Sequence, residues 1–157
     1  IGADETTGQL HDRLANLGAQ LMVEVLRDLP TLHAQPQDHV GITYASKIDK
    51  AESWLDWQQP AEVLARRLRA FDPFPGGATR LEGTSFKVWA AQALLTESPS
   101  LPGQVLAVGP KGIDVGTGWG VLRLTELQKP GGKRLPCAEF LRGHGVLVGQ
   151  QFEIGAE

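Results

Sequence analysis

Eight cations carry most of the chemistry this sequence offers. Lys47 and Lys50 stand in a polar stretch, Arg66 and Arg69 project from a helical pattern, and Lys87 interrupts a strand-like run. Lys129, Lys133 and Arg134 surround a Pro-Gly-Gly break. Side chains of this kind neutralise phosphates, and each contact releases a counterion, giving affinity without reading a base sequence. Residues so far apart share a face only where the polar stretch, the helix and the strand region adjoin. Trp54, Trp57, Trp89 and Trp119 are the aromatics that could stack bases beside such a face. Their strand-like and anchor-like settings read first as core packing.

The formal net charge of -3 hides an asymmetry. Residues 1–45 hold two Lys+Arg against six Asp+Glu, residues 46–134 twelve against nine, and residues 135–157 one against three. A basic middle between acidic ends points mildly to a polyanionic partner, while charge alone fits an ordinary solvated surface. Other chemistries lack their residues. His11, His33, His39 and His144 are scattered without metal-ligand spacing, and Cys137 is the only cysteine, so no internal disulfide or cysteine-based metal site is expected. A nucleophile elbow and a phosphate-cradling glycine loop are missing. Gly116-Thr-Gly-Trp-Gly120 lies between strand patterns and reads as a hairpin turn with Trp119 packed on the strands. With no apolar run near 18 residues and no charged-then-apolar leader, neither a membrane span nor a secretory signal is expected. The single cysteine suits a reducing, cytoplasmic setting.

These cations need a frame. Thr6 and Gln9 have capping-box spacing, and Leu10, Leu14, Leu17, Leu21, Val25 and Leu29 then line one helical face that Pro30 ends. With Thr6 or Thr7 as the cap at most six residues precede it, so the partner of this stripe is expected to have been cut away, and the stripe itself invites self-association. Residues 30–58 read as an extended linker with Tyr44, Ile48, Trp54, Leu55 and Trp57 as anchors. Pro60 is placed to open a second helix. There Val63, Leu64, Leu68 and Phe71 cluster on one side, Arg66 and Arg69 on the other, and Arg67 at the margin, where its stem snorkels. Pro73 and Pro75 stop it, and Phe71 and Phe74 are expected to plug the next core. From Thr79 short strands follow: 79–82 and 85–95 around a Gly83-Thr84 turn, then 103–108, 113–116 and 121–127, with a helix over 137–142 and a glycine-rich tail. The fold class is α+β: an amphipathic helix and extended linker, then a small OB-fold-like Greek-key β-barrel with flanking helices.

The chain resembles the C-terminal part of the methionyl-tRNA formyltransferases through nearly its whole length. Asp4-Glu-Thr-Thr-Gly-Gln-Leu-His-Asp-Arg-Leu-Ala-Asn-Leu-Gly18 is similar to the last helix of that family's catalytic domain. Thr43-Tyr-Ala-Ser-Lys-Ile48 and Leu55-Asp-Trp57 resemble its interdomain strap. Arg69-Ala-Phe-Asp-Pro-Phe-Pro-Gly76 resembles its signature turn, with Asp and Phe where Asn and Trp are more usual. Lys87-Val-Trp89, Pro102-Gly103, Leu124-Thr-Glu-Leu-Gln128 with Gly132-Lys133, and Phe140-Leu141 complete the ordered series.

The resemblance implies the end of a Rossmann-like catalytic domain over 1–34, a linker over 35–58 and an OB-like tRNA-binding domain over 59–157. It implies a parent enzyme that formylates initiator methionyl-tRNA with 10-formyltetrahydrofolate. The family's catalytic Asn, His and Asp lie upstream of the first helix, so this portion is expected to hold no catalytic residue, to bind no cofactor and to be inactive alone. Lys47 and Lys50 are the tRNA contacts implied by position. Lys87, Lys129, Lys133 and Arg134 follow from charge and place, with Arg66 beside them, while Arg69 either grips RNA or braces the turn. Neither a membrane nor DNA is an expected partner. The tail at Arg142-Gly-His-Gly145 lacks the basic residue that commonly follows there. Two rivals stand beside this reading: the barrel of a related amino-sugar formyltransferase, which needs no basic strap, and a purely structural or dimerising module.

Overall fold

The computed structural model describes residues 1–94, 96 and 100–154. Its first helix, α1 (Thr7–Asp28), starts at the expected capping box: the Gln9 N–H donates to the Thr6 hydroxyl, and the Thr6 N–H donates to the Gln9 side chain. Its first turn is tied to the end of the next helix, with Thr7 Oγ1 donating to the Ala70 carbonyl (2.7 Å) and the Gly8 N–H to that of Asp72 (3.0 Å). Beyond that turn the predicted stripe is bare, and Leu14, Leu17 and Leu21 are each about half exposed. Short 3-10 turns at Leu29–Thr31 and Lys50–Ser53 bound an extended, exposed stretch. The anchors expected at Tyr44 and Ile48 are not made, Tyr44 being 94 % exposed. Anchoring begins only where the strap meets a strand, at the Leu55 N–H that donates to the Ala78 carbonyl (2.8 Å). Leu55 and Trp57 are then fully buried.

The second helix, α2 (Ala61–Ala70), buries Ala61, Leu64, Ala65 and Leu68, one face at helical spacing, against the barrel. Pro60 stands just before it as the capping residue, and the Ala61 N–H donates to the Trp119 carbonyl. Among the described residues six antiparallel strands follow: β1 (Gly77–Leu81), β2 (Thr84–Leu94), β3 (Val105–Gly109), β4 (Gly112–Gly116), β5 (Val121–Gln128) and β6 (Leu135–Pro136). Their order is β1-β2-β5-β4-β3, with β6 continuing on β5. The meander β3-β4-β5 with β2 returning beside β5 is a Greek key. α3 (Cys137–Gly143) packs Cys137 and Phe140 inward.

Several local expectations shift. The β1–β2 turn is Glu82-Gly83, one residue earlier than expected, with Leu81 paired to Thr84. Both turn residues have positive φ (49° and 77°), the twist that suits a two-residue hairpin and that Gly83 makes inexpensive. Phe71 plugs the core, whereas Phe74 is 70 % exposed, since the turn after α2 carries it outward. Trp119 also faces solvent; its backbone is the part of it that packs. The last residue expected in the β2 strand, Leu95, lies outside the described residues. The glycine-rich tail has a role that local pattern did not show. It bridges Leu81 to Phe152 and Gln104 to Gln151, closing the gap between β1 and β3. Phe152 then stacks on Trp57 at 5.3 Å inside the core, so strap and tail seal the same barrel.

Candidate nucleic-acid interface

The centre of the basic surface is Trp89, and a break in pairing puts it there. Along the β2–β5 ladder Val88 pairs with Leu127 and Ala90 with Glu126, leaving Trp89 as the extra residue of a bulge. A bulge re-aims the side chain it carries. The indole N–H donates to Gln128 Oε1 (2.8 Å), whose Nε2 donates to the Gly132 carbonyl (2.8 Å), fixing the turn that holds Lys129 and Lys133. Lys87 Nζ lies 5.1 Å from the indole and Arg134 Cζ 4.9 Å, so two cations flank one ring. Gly76 (φ 74°) approaches so closely that a Cβ there would sit 2.9 Å from the ring.

The two flanking cations are not equally available. Arg134 donates to both oxygens of Asp72 (2.8 and 3.1 Å), and its Nε lies 2.8 Å from Glu126. Those carboxylates, Asp72 first, hold its guanidinium above its ordinary range, and its charge is already compensated. Among the described residues Lys87 Nζ makes one bond, to the Pro75 carbonyl (2.8 Å), and an ammonium has three donors. Both therefore tie the turn over 71–77 to the sheet, and Lys87 keeps donors free for an anion.

Lys129 and Lys133 are exposed on the neighbouring turn. Lys129 and Lys87 line a cavity of about 270 Å³ whose other wall includes Trp54. Trp54 directly follows the 3-10 turn that Lys50 begins, so the strap itself reaches this cavity, while Lys50 and, three residues earlier, Lys47 lie exposed on it. Asp49 and Glu52 beside Lys50 are occupied as caps, accepting from the Ala51 and Asp49 N–H groups. Arg66 and Arg69 sit together elsewhere, in a groove of about 630 Å³ between α2, β2 and the start of the chain, in company with Glu62 and Asp4. The structure thus joins Lys87, Lys129 and the strap on one cavity, and separates the helix arginines into a groove of mixed charge. Arg80 escaped the sequence reading. Its Cζ lies 5.2 Å from the Trp54 ring, and it pairs with Glu153 (3.2 Å). The signal for it was the alternation of β1, which buries Thr79 and Leu81 and turns Arg80 outward.

Among the described residues no cluster of three His, Cys, Asp or Glu could hold a metal. Cys137 is buried, and desolvation pushes its thiol up to about 11. His144 stacks on Phe140 at 4.9 Å. No helix among the described residues is long and apolar enough to cross a membrane.

Comparison with known proteins gives this surface a context. A family profile described as formyl transferase, C-terminal domain, matches residues 47–145. The methionyl-tRNA formyltransferase of Paraburkholderia phytofirmans is 56 % identical over 98 % of the chain, and that of Burkholderia multivorans 51 % over 98 %. The chain spans 48 % of each of these relatives, about half their length. Among solved structures, a variant of HypX from Aquifex aeolicus superposes with a TM-score of 0.68 at 19 % identity, covering 90 % of this chain and 26 % of that one. HypX in complex with tetrahydrofolic acid gives 0.60 at 22 %, over 78 % of this chain and 22 % of that one. At such identities the likeness establishes a shared fold.

Proposed function

We propose that this chain, which belongs to the formyl transferase C-terminal domain family, is the tRNA-holding part of a methionyl-tRNA formyltransferase. The observation that carries the reading is 56 % identity over 98 % of the chain to an enzyme of that name. The cavity-lining lysines supply the chemistry it requires. In the whole protein the methionyl α-amine would attack the formyl carbon of 10-formyltetrahydrofolate, forming one C–N bond as the bond to the folate nitrogen breaks and the amine loses a proton. The groups for those steps, and the folate site, are assigned to the remainder of the protein. This chain contributes orientation: holding the tRNA body raises the effective concentration of its aminoacyl end. Residues 1–34 are read as the end of the catalytic domain, 35–58 as the linker and 59–157 as the tRNA-binding domain. α1's bare leucines would be covered by the catalytic half, and the protein would work in the cytoplasm.

Within this reading the grip is Lys47, Lys50, Lys87, Lys129 and Lys133, with Arg66 and Arg69 in a separate groove beyond it. Arg134 is assigned to bracing, because two carboxylates already hold it. Five phosphate contacts give a log–log salt slope of roughly -4.5 on duplex, borrowing the B-DNA coefficient. The test is titration of the chain with initiator tRNA across a salt series, read by fluorescence anisotropy. Replacing Lys47 and Lys50 by alanine is expected to flatten the slope by about two and weaken binding at low salt. Binding that is absent at low salt, or indifferent to both lysines, would favour an amino-sugar substrate or a bracing role.

A further inference from the structure

The cavity beside the strap has features that a phosphate grip alone does not need. Its lining is chiefly apolar and includes Trp54, Ala78, Phe86 and the 129–131 turn, the Phe86 ring itself being packed in the core on Phe140. Lys87 and Lys129 are its two cations. At about 270 Å³ it falls just below the range of roughly 300–1,000 Å³ that encloses whole drug-sized ligands. That size suits one base with its sugar. The larger Arg66–Arg69 groove is less suited to an anion, since Glu62 and Asp4 line it too.

The walls are also fixed in advance. Trp54 is held by its bridge to Ala78 and by Arg80, itself tied to Glu153. The opposite turn is held by the Gly132 N–H on the Lys129 carbonyl (3.0 Å) and by Gln128 on the Gly132 carbonyl. A rigid aromatic wall with cations at its margin binds a stacked base at little ordering cost.

We propose that this cavity receives one unstacked base of the bound RNA, with Lys87 and Lys129 holding the adjoining phosphate. The inference rests on the tRNA reading above and adds a discrete subsite to it. A base paired in a stem cannot enter, so the occupant must come from a loop or a single-stranded end.

The first test titrates the ¹⁵N-labelled chain with AMP and CMP, and in parallel with ribose 5-phosphate and inorganic phosphate. The mononucleotides are expected to shift the Trp54 indole signal and the amides of Ser85, Phe86 and Lys87, while the base-free phosphates leave the indole in place. Equal shifts from all four compounds, shifts centred elsewhere, or none at all overturn the proposal. In the second test Trp54→Ala is expected to weaken tRNA binding roughly 5- to 100-fold with the salt slope unchanged. Trp54→Phe should restore most of the loss, and Lys129→Ala should instead reduce the slope by about one. Amide spectra confirm that each variant is folded, and a folded Trp54→Ala chain that binds tRNA like the parent overturns the subsite. The two readings fail separately. Lost tRNA binding with intact base-dependent shifts removes the tRNA reading alone, and tRNA binding without base-dependent shifts removes the pocket alone.

Discussion

If Arg134 is a brace, breaking its pair with Asp72 must cost stability and leave the RNA salt slope untouched. The perturbation is a double-mutant cycle of Asp72→Asn and Arg134→Gln. A charge-assisted bidentate bond is worth about 1.5–3 kcal/mol when desolvated. Here the Arg134 side chain is 37 % exposed and that of Asp72 14 %, so solvent screening reduces the Asp72 coupling to about 1 kcal/mol. Arg134→Gln also loses Glu126 at 2.8 Å and its place over Trp89, the latter worth about 0.5–1 kcal/mol. The single variant should therefore lose about 2 kcal/mol, which moves a urea midpoint by about 1 M for a domain of this size. Arg134→Lys should rescue little, because an ammonium cannot reproduce the fork. Urea unfolding of the four cycle members gives the coupling, and the anisotropy titration of Arg134→Gln gives the slope. Additive single variants, with a coupling below about 0.3 kcal/mol, would refute the brace. A salt slope that falls by about one in Arg134→Gln would make this residue a phosphate contact after all.

Further perturbations probe the frame. Gly118→Ala should destabilise by about 2–3 kcal/mol in urea unfolding, since its Cβ would lie 1.8 Å from the Gln58 carbonyl oxygen, a backbone atom that cannot turn aside. Gly143→Ala, with nothing within 4 Å, should be neutral or stabilising by about 0.4–1 kcal/mol. Cys137 should resist a thiol reagent at pH 8 in the native protein and react fully in urea. Its thiol, raised from 9.0 to about 11 chiefly by burial, keeps its proton longer folded than unfolded. Its contribution to stability is thus complete below pH 9 and lost as pH rises through about 11, and a Cys137→Ala chain should lack that component of the alkaline fall.

What local pattern specifies, the sequence announced. The Thr6–Gln9 capping box, the buried face of α2 and the run of short strands after it each follow from neighbours within a few residues. What needs distant partners was not announced. Phe71 and Phe74 look alike in the sequence, yet only the first lies on the face of α2 that meets the sheet. Nothing in the tail's glycines tells that Phe152 stacks on Trp57 nearly a hundred positions earlier. Tyr44 and Trp54 both read as anchors, and which one holds depends on where a strand edge is free to receive the strap.

The same distinction governs the candidate site. Positive charge is visible in a sequence, but whether it is available is decided by carboxylates that the fold brings to it. Arg134 and Lys133 are adjacent and identical in charge, and the fold sets Asp72 and Glu126 against the arginine while Lys133 stays exposed. Asp72 reaches it from 62 positions away, at the turn after α2. That turn in turn touches Trp89 only because a bulge re-aims the indole and a glycine at position 76 lets the backbone approach. The signature turn is therefore readable as a contributor to the basic face without any residue of it needing to meet RNA. Its Asp72 fixes the arginine, its Pro75 carbonyl fixes Lys87, and the lysines beyond are then held out on a surface that cannot collapse onto its own acids.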